Sequence, residues 1–222
     1  AGDLFIDAAT DGAVGGNLAV TATTGNITQD GSLVLAVTGT STLTTAAADA
    51  SITLGTATNA LGGNVILSTT GTAGHVTIDN GTTALGVQGT VNGNLVLTSG
   101  DAITDSAALI VSGTTEVTTD VADKAITLDQ LSSTGVVTIA TQGTTGHVTL
   151  VNASGLALQG TSSGNLSATA TTGDISDSGA LTVTGTSAFI TGVTGSNIIL
   201  DHASNAFTGH VSLTADTGGN EN

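Results

Sequence analysis

The chain contains no proline, cysteine, methionine, tryptophan or tyrosine, and only three aromatic rings, Phe5, Phe189 and Phe207. Without cysteine, no disulfide holds the fold together, and any compartment remains open to it. Basic side chains are nearly missing: Lys124 is the single Lys or Arg in 222 residues. Nucleic acid and anionic membranes are bound by Lys and Arg that displace counterions, so both partner classes are excluded. No apolar run exceeds a few residues, which is too short to span a bilayer as a helix. No signal peptide opens the sequence, as is also the case for a segment cut from a longer precursor.

What remains is acidic, small and β-branched. Fifteen Asp and two Glu give a formal net charge of −16, yet charged residues make up only 8% of the chain. Hydrophobic residues reach 39%, mostly Ala, Val, Leu and Ile, alongside 32 glycines and abundant threonine. Disordered chains are poor in β-branched residues and rich in charge or proline, so this chain is ordered and β-rich. Scarce lysine with much Thr, Gly, Asn and Asp fits an extracellular bacterial surface polypeptide. Compositional drift within a repeat array produces the same bias.

Internal repetition is the strongest signal. Gly2-Asp3-Leu4-Phe5-Ile6-Asp7 matches Gly74-His75-Val76-Thr77-Ile78-Asp79 and Gly146-His147-Val148-Thr149-Leu150-Val151, at offsets of 72 and 72. Ile52, Ile126 and Ile198 recur at 74 and 72, Val65, Val137 and Val211 at 72 and 74, and Leu18, Leu95 and Leu166 at 77 and 71. The chain is thus three copies of a unit of roughly 73 residues, approximately 2–73, 74–145 and 146–218, in one continuous segment, 1–222. The three triplets are expected to form the structural core ladder.

Within each unit, apolar pairs alternate with small or polar residues, as in Val76/Ile78, Leu95/Leu97 and Leu109/Val111, with Gly, Asn, Asp or Ser-Gly between them. Period-two alternation over three to five residues marks a short strand with one face buried. No window carries helical periodicity; Ala46-Ala47-Ala48-Asp49-Ala50 is the one place for a short helical turn. Two architectures fit: tandem immunoglobulin-like β-sandwiches, or a right-handed parallel β-helix (β-solenoid). Sandwich cores lean on aromatic residues, which are scarce here, and the short strands with Gly-rich turns lack hairpin grammar. Small insertions between repeats suit a solenoid, where each coil touches only its neighbours. We therefore expect an all-β solenoid of roughly 9 to 12 coils, about 45 to 60 Å long.

The residues Gly164-Asn165-Leu166, Gly179-Ala180-Leu181-Thr182-Val183, Ile198-Ile199-Leu200 and Asn205-Ala206-Phe207-Thr208-Gly209-His210-Val211 carry a resemblance. They are similar to the repeats of large bacterial exoproteins of the filamentous haemagglutinin type, and the similarity extends over essentially the whole chain. The resemblance implies a β-helical shaft, secretion through a partner pore in the outer membrane, and work in adhesion, biofilm matrix or cell-cell contact. The amino-terminal secretion domain and any receptor-binding or toxin tip of such proteins are not within these residues.

Candidate chemistry is sparse. A polysaccharide-processing β-helix enzyme needs cations to hold uronate carboxylates and a placed base or carboxylate pair, and Lys124 is the only cation. No catalytic residue is assigned and we expect no enzyme. His75 and His147 occupy equivalent positions, Asp3 takes that place in the first unit, and His202 and His210 lie elsewhere; their spacing matches no metal set. Asp101, Asp105, Asp174 and Asp177 fall in turns of one repeat phase and are candidates for diffuse, weak Ca2+ binding, though turn chemistry alone explains them. No cofactor is expected. Thr21-Ala22-Thr23 and Thr169-Ala170-Thr171 have the local form of an ice-binding solenoid, without coil-by-coil repetition. The expected role is a stiff spacer in a secreted or surface-attached bacterial fibre, its partners being neighbouring repeats or head-to-tail copies of itself.

Overall fold

The computed structural model describes residues 2–6 and 12–216. Among these residues there is no helix; 24 short strands pair only in parallel and wind into a β-solenoid of about nine turns. Ala46 to Ala48, the one place left for a helical turn, ends the strand Ser41–Ala48.

Two broad sheets run along the stack. Sheet 1 has 11 strands, beginning with Leu4–Ile6 and passing through Ile52–Leu54, Val76–Asp79, Leu95–Ser99, Thr115–Ala122 and Val137–Gln142 to Ile198–Ile199. Sheet 2 has 10 strands, from Leu18–Ala22 through Val65–Thr70, Ile103–Val111, Ile126–Ser133 and Val148–Asn152 to Val211–Thr214. A third sheet of three two-residue strands, Ala13–Val14, Ala36–Val37 and Ala60–Leu61, lines the early coils only. Residues stacked on adjacent coils are between 18 and 25 positions apart, the extremes being Leu85 on Ile103 and Ile27 on Ile52.

The period-two pattern explains the burial. In Leu95–Ser99, Val148–Asn152 and Leu166–Ala170 the first, third and fifth residues are buried and the others part-exposed. Leu95, Leu97, Ile103, Leu109 and Val111 are all fully buried in one hydrophobic core that extends from Ala22 to Phe189. Burying each such aliphatic side chain is worth roughly 1.5–3 kcal/mol, and the several that each coil buries drive the winding. Near the far end Phe189 fills a position held by smaller residues elsewhere and meets Phe207 edge-on, with ring centroids 5.9 Å apart.

The repeats do not stack one directly over another. From Ile52, three steps along sheet 1 lead to Val76, Leu95 and Thr115, and the next strand in the chain, carrying Ile126, lies across the core in sheet 2. Ile126 in turn reaches Val148, Leu166 and Ser187 in sheet 2 before the chain crosses to Ile198 in sheet 1. One repeat therefore occupies three and a half coils. Val65, Val137 and Val211 accordingly lie in sheets 2, 1 and 2, and so do Leu18, Leu95 and Leu166. Leu4 and Val76 depart from the pattern, both lying in sheet 1.

Of the nine residues expected to form the core ladder, Ile52, Val65, Leu95, Ile126, Val137 and Leu166 are buried. Leu18 and Ile198 are part-buried near the two ends of the stack, and Val211, on the last described rung, is exposed. Each stands beside its own coil neighbours, with its equivalent in the adjacent repeat on the facing sheet.

Local geometry follows the repeat even though the side of the stack does not. Gly89 and Gly160 both have a φ of 113°, the first in sheet 2 and the second in sheet 1. A Cβ at these sites would stand 2.1 and 2.0 Å from the carbonyl oxygens of Leu67 and Ile139 on the preceding coil, so only glycine fits.

Candidate functional site

Polar side chains gather at the corners, where the chain passes from one sheet to the other and backbone amides lose their ladder partners. One file of side chains climbs a corner coil by coil. Asp3 Oδ1 accepts the Asn26 N–H at 2.9 Å, and Asn26 Oδ1 accepts that of Ser51 at 2.8 Å. Ser51 Oγ accepts the His75 N–H, His75 Nδ1 that of Asn94 at 2.8 Å, and Asn94 Oδ1 that of Thr114 at 3.0 Å. The same arrangement recurs one repeat later, where His147 Nδ1 accepts the Asn165 N–H at 2.9 Å and Asn165 Oδ1 that of Thr186. The equivalent histidines are thus acceptors in a corner ladder. His202 Nδ1 accepts the Ser204 N–H within its own turn.

The four aspartates singled out from the sequence divide into two kinds. Asp101 and Asp174 stand in turns, as their spacing suggested. Asp101 pairs with Lys124 at 3.0 Å, and that contact holds its carboxyl below the ordinary value. Asp174 Oδ1 accepts the Asn197 N–H at 2.7 Å. Asp105 and Asp177 instead lie within the nine-residue strands Ile103–Val111 and Ile175–Val183, which corrects their placement in turns. Register shifts between Thr104 and Leu109, and opposite Leu158 and Gly160, bend these strands around the corner without breaking them.

At those bends the carboxylates bridge to the next coil. Asp105 accepts the N–H groups of Asp129 and Gln130 at 2.9 and 2.8 Å, and burial pushes its carboxyl up despite them. Burial also raises Asp177, but hydrogen bonds from the Asn205 side chain and the His202 and Asp201 amides outweigh it and leave the group lowered. In the first repeat Gln29 and Asn59 occupy the positions of Asp177 and Asn205 and bond to each other. The four aspartates do not converge on one point. Among the described residues, no group of three or more His, Asp or Glu side chains could hold a metal ion.

Two further aspartates were not distinguished by spacing. Asp49 and Asp123 adopt left-handed backbone, with φ of 63° and 65°. Asp49 Oδ1 accepts the N–H groups of Thr72 and Ala73 at 2.6 and 2.9 Å; Asp123 Oδ1 accepts those of Thr144 and Thr145 at 2.7 and 2.8 Å. These backbone bonds lower both carboxyls. The signal was available: both are equivalent positions, each followed one coil later by a Gly-Thr pair.

Asparagine performs the same task inside the core. Asn80 and Asn152 are fully buried and 72 residues apart. Asn152 accepts the Ser133 N–H at 2.7 Å and donates to the Ser133 and Gly155 carbonyls, while Asn80 accepts the Leu61 N–H and donates to the Leu61, Thr83 and Ala84 carbonyls. Buried backbone groups that leave the ladder are thereby satisfied.

The outward faces are mixed. Sheet 2 carries a file of hydroxyls, Thr104, Thr127, Thr149 and Ser167, in register on successive coils. On sheet 1 the file Thr28, Thr53 and Thr77 continues into Val96, Glu116 and Thr138. In both T-x-T stretches the second threonine lies past the end of its strand, after Ala22 and Ala170.

Open clefts occur at both ends of the stack. One is lined by Leu4, Phe5, Ile6, Ala19, Val20 and Thr21. The other is lined by the segment 194–199 together with Leu213, Ala215 and Asp216.

Parallel rungs, a half-coil phase and corner ladders define a repeat protein of the β-solenoid class. At residues 1–68, 73–140 and 145–214 the chain matches the family described as Repeats of unknown function (DUF5649), and it belongs to that family. No curated protein and no solved structure matches the chain.

Proposed function

We propose that this chain is a shaft segment of a secreted or surface-attached bacterial fibre or adhesin, acting as a stiff spacer in adhesion, biofilm matrix or contact between cells. The observation that carries the reading is the continuity of the rungs across the repeat boundaries. Ile52–Leu54 carries Val76–Asp79, and Ile126–Ser133 carries Val148–Asn152, with no linker between units. A stack of this kind lengthens with each repeat without adding a hinge.

Three and a half coils at about 4.8 Å give an advance of roughly 17 Å per repeat. The similarity to filamentous haemagglutinin-type repeats supports the extracellular setting and the outer-membrane secretion partner. The pairing of Lys124, the only Lys or Arg, with Asp101 supports a non-enzymatic role. A chain of low charge density and uniform sign also resists lateral clumping of such rods.

Small-angle scattering on arrays of three, six and nine repeats tests the spacer. The expected maximum dimension grows linearly, by about 17 Å per repeat. Growth with the shallow power law of a compact domain would overturn the reading.

A further inference from the structure

We infer that Asn92-Gly93 is a site of self-modification, where the asparagine side chain converts through a cyclic imide into aspartate and isoaspartate, with water as the co-substrate and ammonia as the leaving group. The inference is independent of the spacer reading.

Asparagine followed by glycine is the pair most open to this reaction, because glycine has no side chain to obstruct attack of its nitrogen on the asparagine amide. The chain contains two such pairs, Asn80-Gly81 and Asn92-Gly93, and the fold separates them. Asn80 is fully buried; its Oδ1 accepts the Leu61 N–H and its Nδ2 donates to the carbonyls of Leu61, Thr83 and Ala84. That amide is shielded from water and cannot turn toward the Gly81 nitrogen without losing these bonds. Asn92 is only half-buried. Among the described residues, Asn64 and Asn92 are the asparagines whose side chains have no hydrogen-bond partner. Asn64 precedes Val65, whose branched side chain blocks the attack.

The next repeat shows what each half of the pair does. Ser163 stands in the place of Asn92; it donates its N–H to Thr141 Oγ1 at 2.9 Å and its hydroxyl to the Gln142 carbonyl at 2.8 Å. Asn92 keeps the first bond, to Thr69 Oγ1 at 2.9 Å, and its side chain has no counterpart of the second. The glycine, by contrast, is fixed. A Cβ at Gly93 would stand 2.5 Å from His75 Nδ1, and one at Gly164 the same distance from His147 Nδ1. The fold thus requires the glycine and leaves the amide before it free.

One restraint remains: the Gly93 N–H donates to the Gly74 carbonyl at 3.1 Å, so attack waits on local opening of this corner. In the opened corner the Gly93 nitrogen gives its proton to hydroxide and bonds to Asn92 Cγ. The Cγ–Nδ2 bond breaks, and ammonia leaves with a proton from water. A water molecule then opens the imide. Opening at Cγ gives aspartate, and opening at the main-chain carbonyl gives isoaspartate, whose backbone runs through Cγ and is longer by a carbon. Either product adds a negative charge to a chain already at −16. The longer backbone also draws Gly93 from Gly74 and Asn94 from His75 Nδ1, which breaks the corner ladder in mid-stack.

Tandem mass spectrometry of peptides from the folded chain, sampled during incubation at mildly alkaline pH, tests this. Amide-to-acid conversion is expected at least about tenfold faster at Asn92 than at Asn80, whose release requires several hydrogen bonds to break. In urea, where the fold no longer distinguishes them, the two Asn-Gly pairs are expected to convert at comparable rates. The aged folded chain is also expected to take up methyl groups at position 92 from S-adenosylmethionine when treated with an isoaspartyl carboxyl methyltransferase. Asn92→Ser, which repeats the choice made at Ser163, is expected to remove that label with an unchanged circular dichroism spectrum. Equal rates at Asn80 and Asn92 in the folded chain, an Asn92 that stays intact while the unfolded chain converts, or an aged chain without label at position 92 would each overturn the inference.

Discussion

Asp49 and Asp123 share one backbone conformation and one pair of accepted backbone hydrogen bonds on opposite sides of the same coil stack. The repeat dictates what the chain does locally, and the three-and-a-half-coil phase dictates where around the axis it does it.

These two carboxylates make the fold acid-sensitive. Their folded-state pKa values lie below the unfolded one of about 3.9, so the stabilisation is complete above that value and is lost as pH falls through the folded value. Asp105, raised by burial, has the opposite sign: its contribution is present below the unfolded value and is lost as pH rises. Melting temperatures recorded between pH 6 and pH 2 are expected to fall in acid. The variants Asp49→Asn and Asp123→Asn, which keep a side-chain acceptor and tolerate left-handed backbone, are expected to flatten that fall.

Gly89→Ala and Gly160→Ala place a methyl group within 2.1 and 2.0 Å of a carbonyl oxygen on the preceding coil. Each is expected to cost at least about 2 kcal/mol, from strained backbone and a broken close approach. Gly55→Ala, whose nearest contact is a Thr53 methyl at 4.0 Å, is expected to be nearly neutral. Urea titration of the three variants checks the contrast.

Asn152→Leu replaces a buried amide with a side chain of similar size and leaves the Ser133 N–H without its acceptor. The expected loss is about 2–3 kcal/mol in chemical denaturation. Hydrogen exchange at Ser133 is expected to speed up more than at Leu131, whose side chain remains buried.

His75 and His147 accept an N–H through Nδ1, so each ring carries its proton on Nε2. Nitrogen-15 shifts of the imidazoles at pH 8 are expected to show that tautomer at both sites. His75→Ala is expected to cost about 1 kcal/mol or less, and His75→Asn, with the acceptor restored, less than half of that.

Much of the architecture was legible in the residues. Alternation at Leu95/Leu97 and Leu109/Val111 marked strands with one face inside, because period two leaves small room for any other reading. The half-coil phase was not legible. An interval of 72 residues divides into coils of 18 to 25 in more than one way, and only the pairing of Ile52 with Val76 and Val76 with Leu95 selects three and a half. The sequence does not separate the strand positions of Asp105 and Asp177 from turns for a related reason, since a corner taken as a bend within a strand uses the same residue types as a turn. Spacing does not single out Asp49 and Asp123, because the amides they bind lie a full coil further along the chain.

The half-integer winding gives an array of these repeats a parity. Deleting or duplicating one unit turns every feature downstream to the other side of the rod, while gaining or losing two restores it. Chains that differ by a single repeat would therefore differ little in length but would point whatever they carry at their far ends in opposite directions.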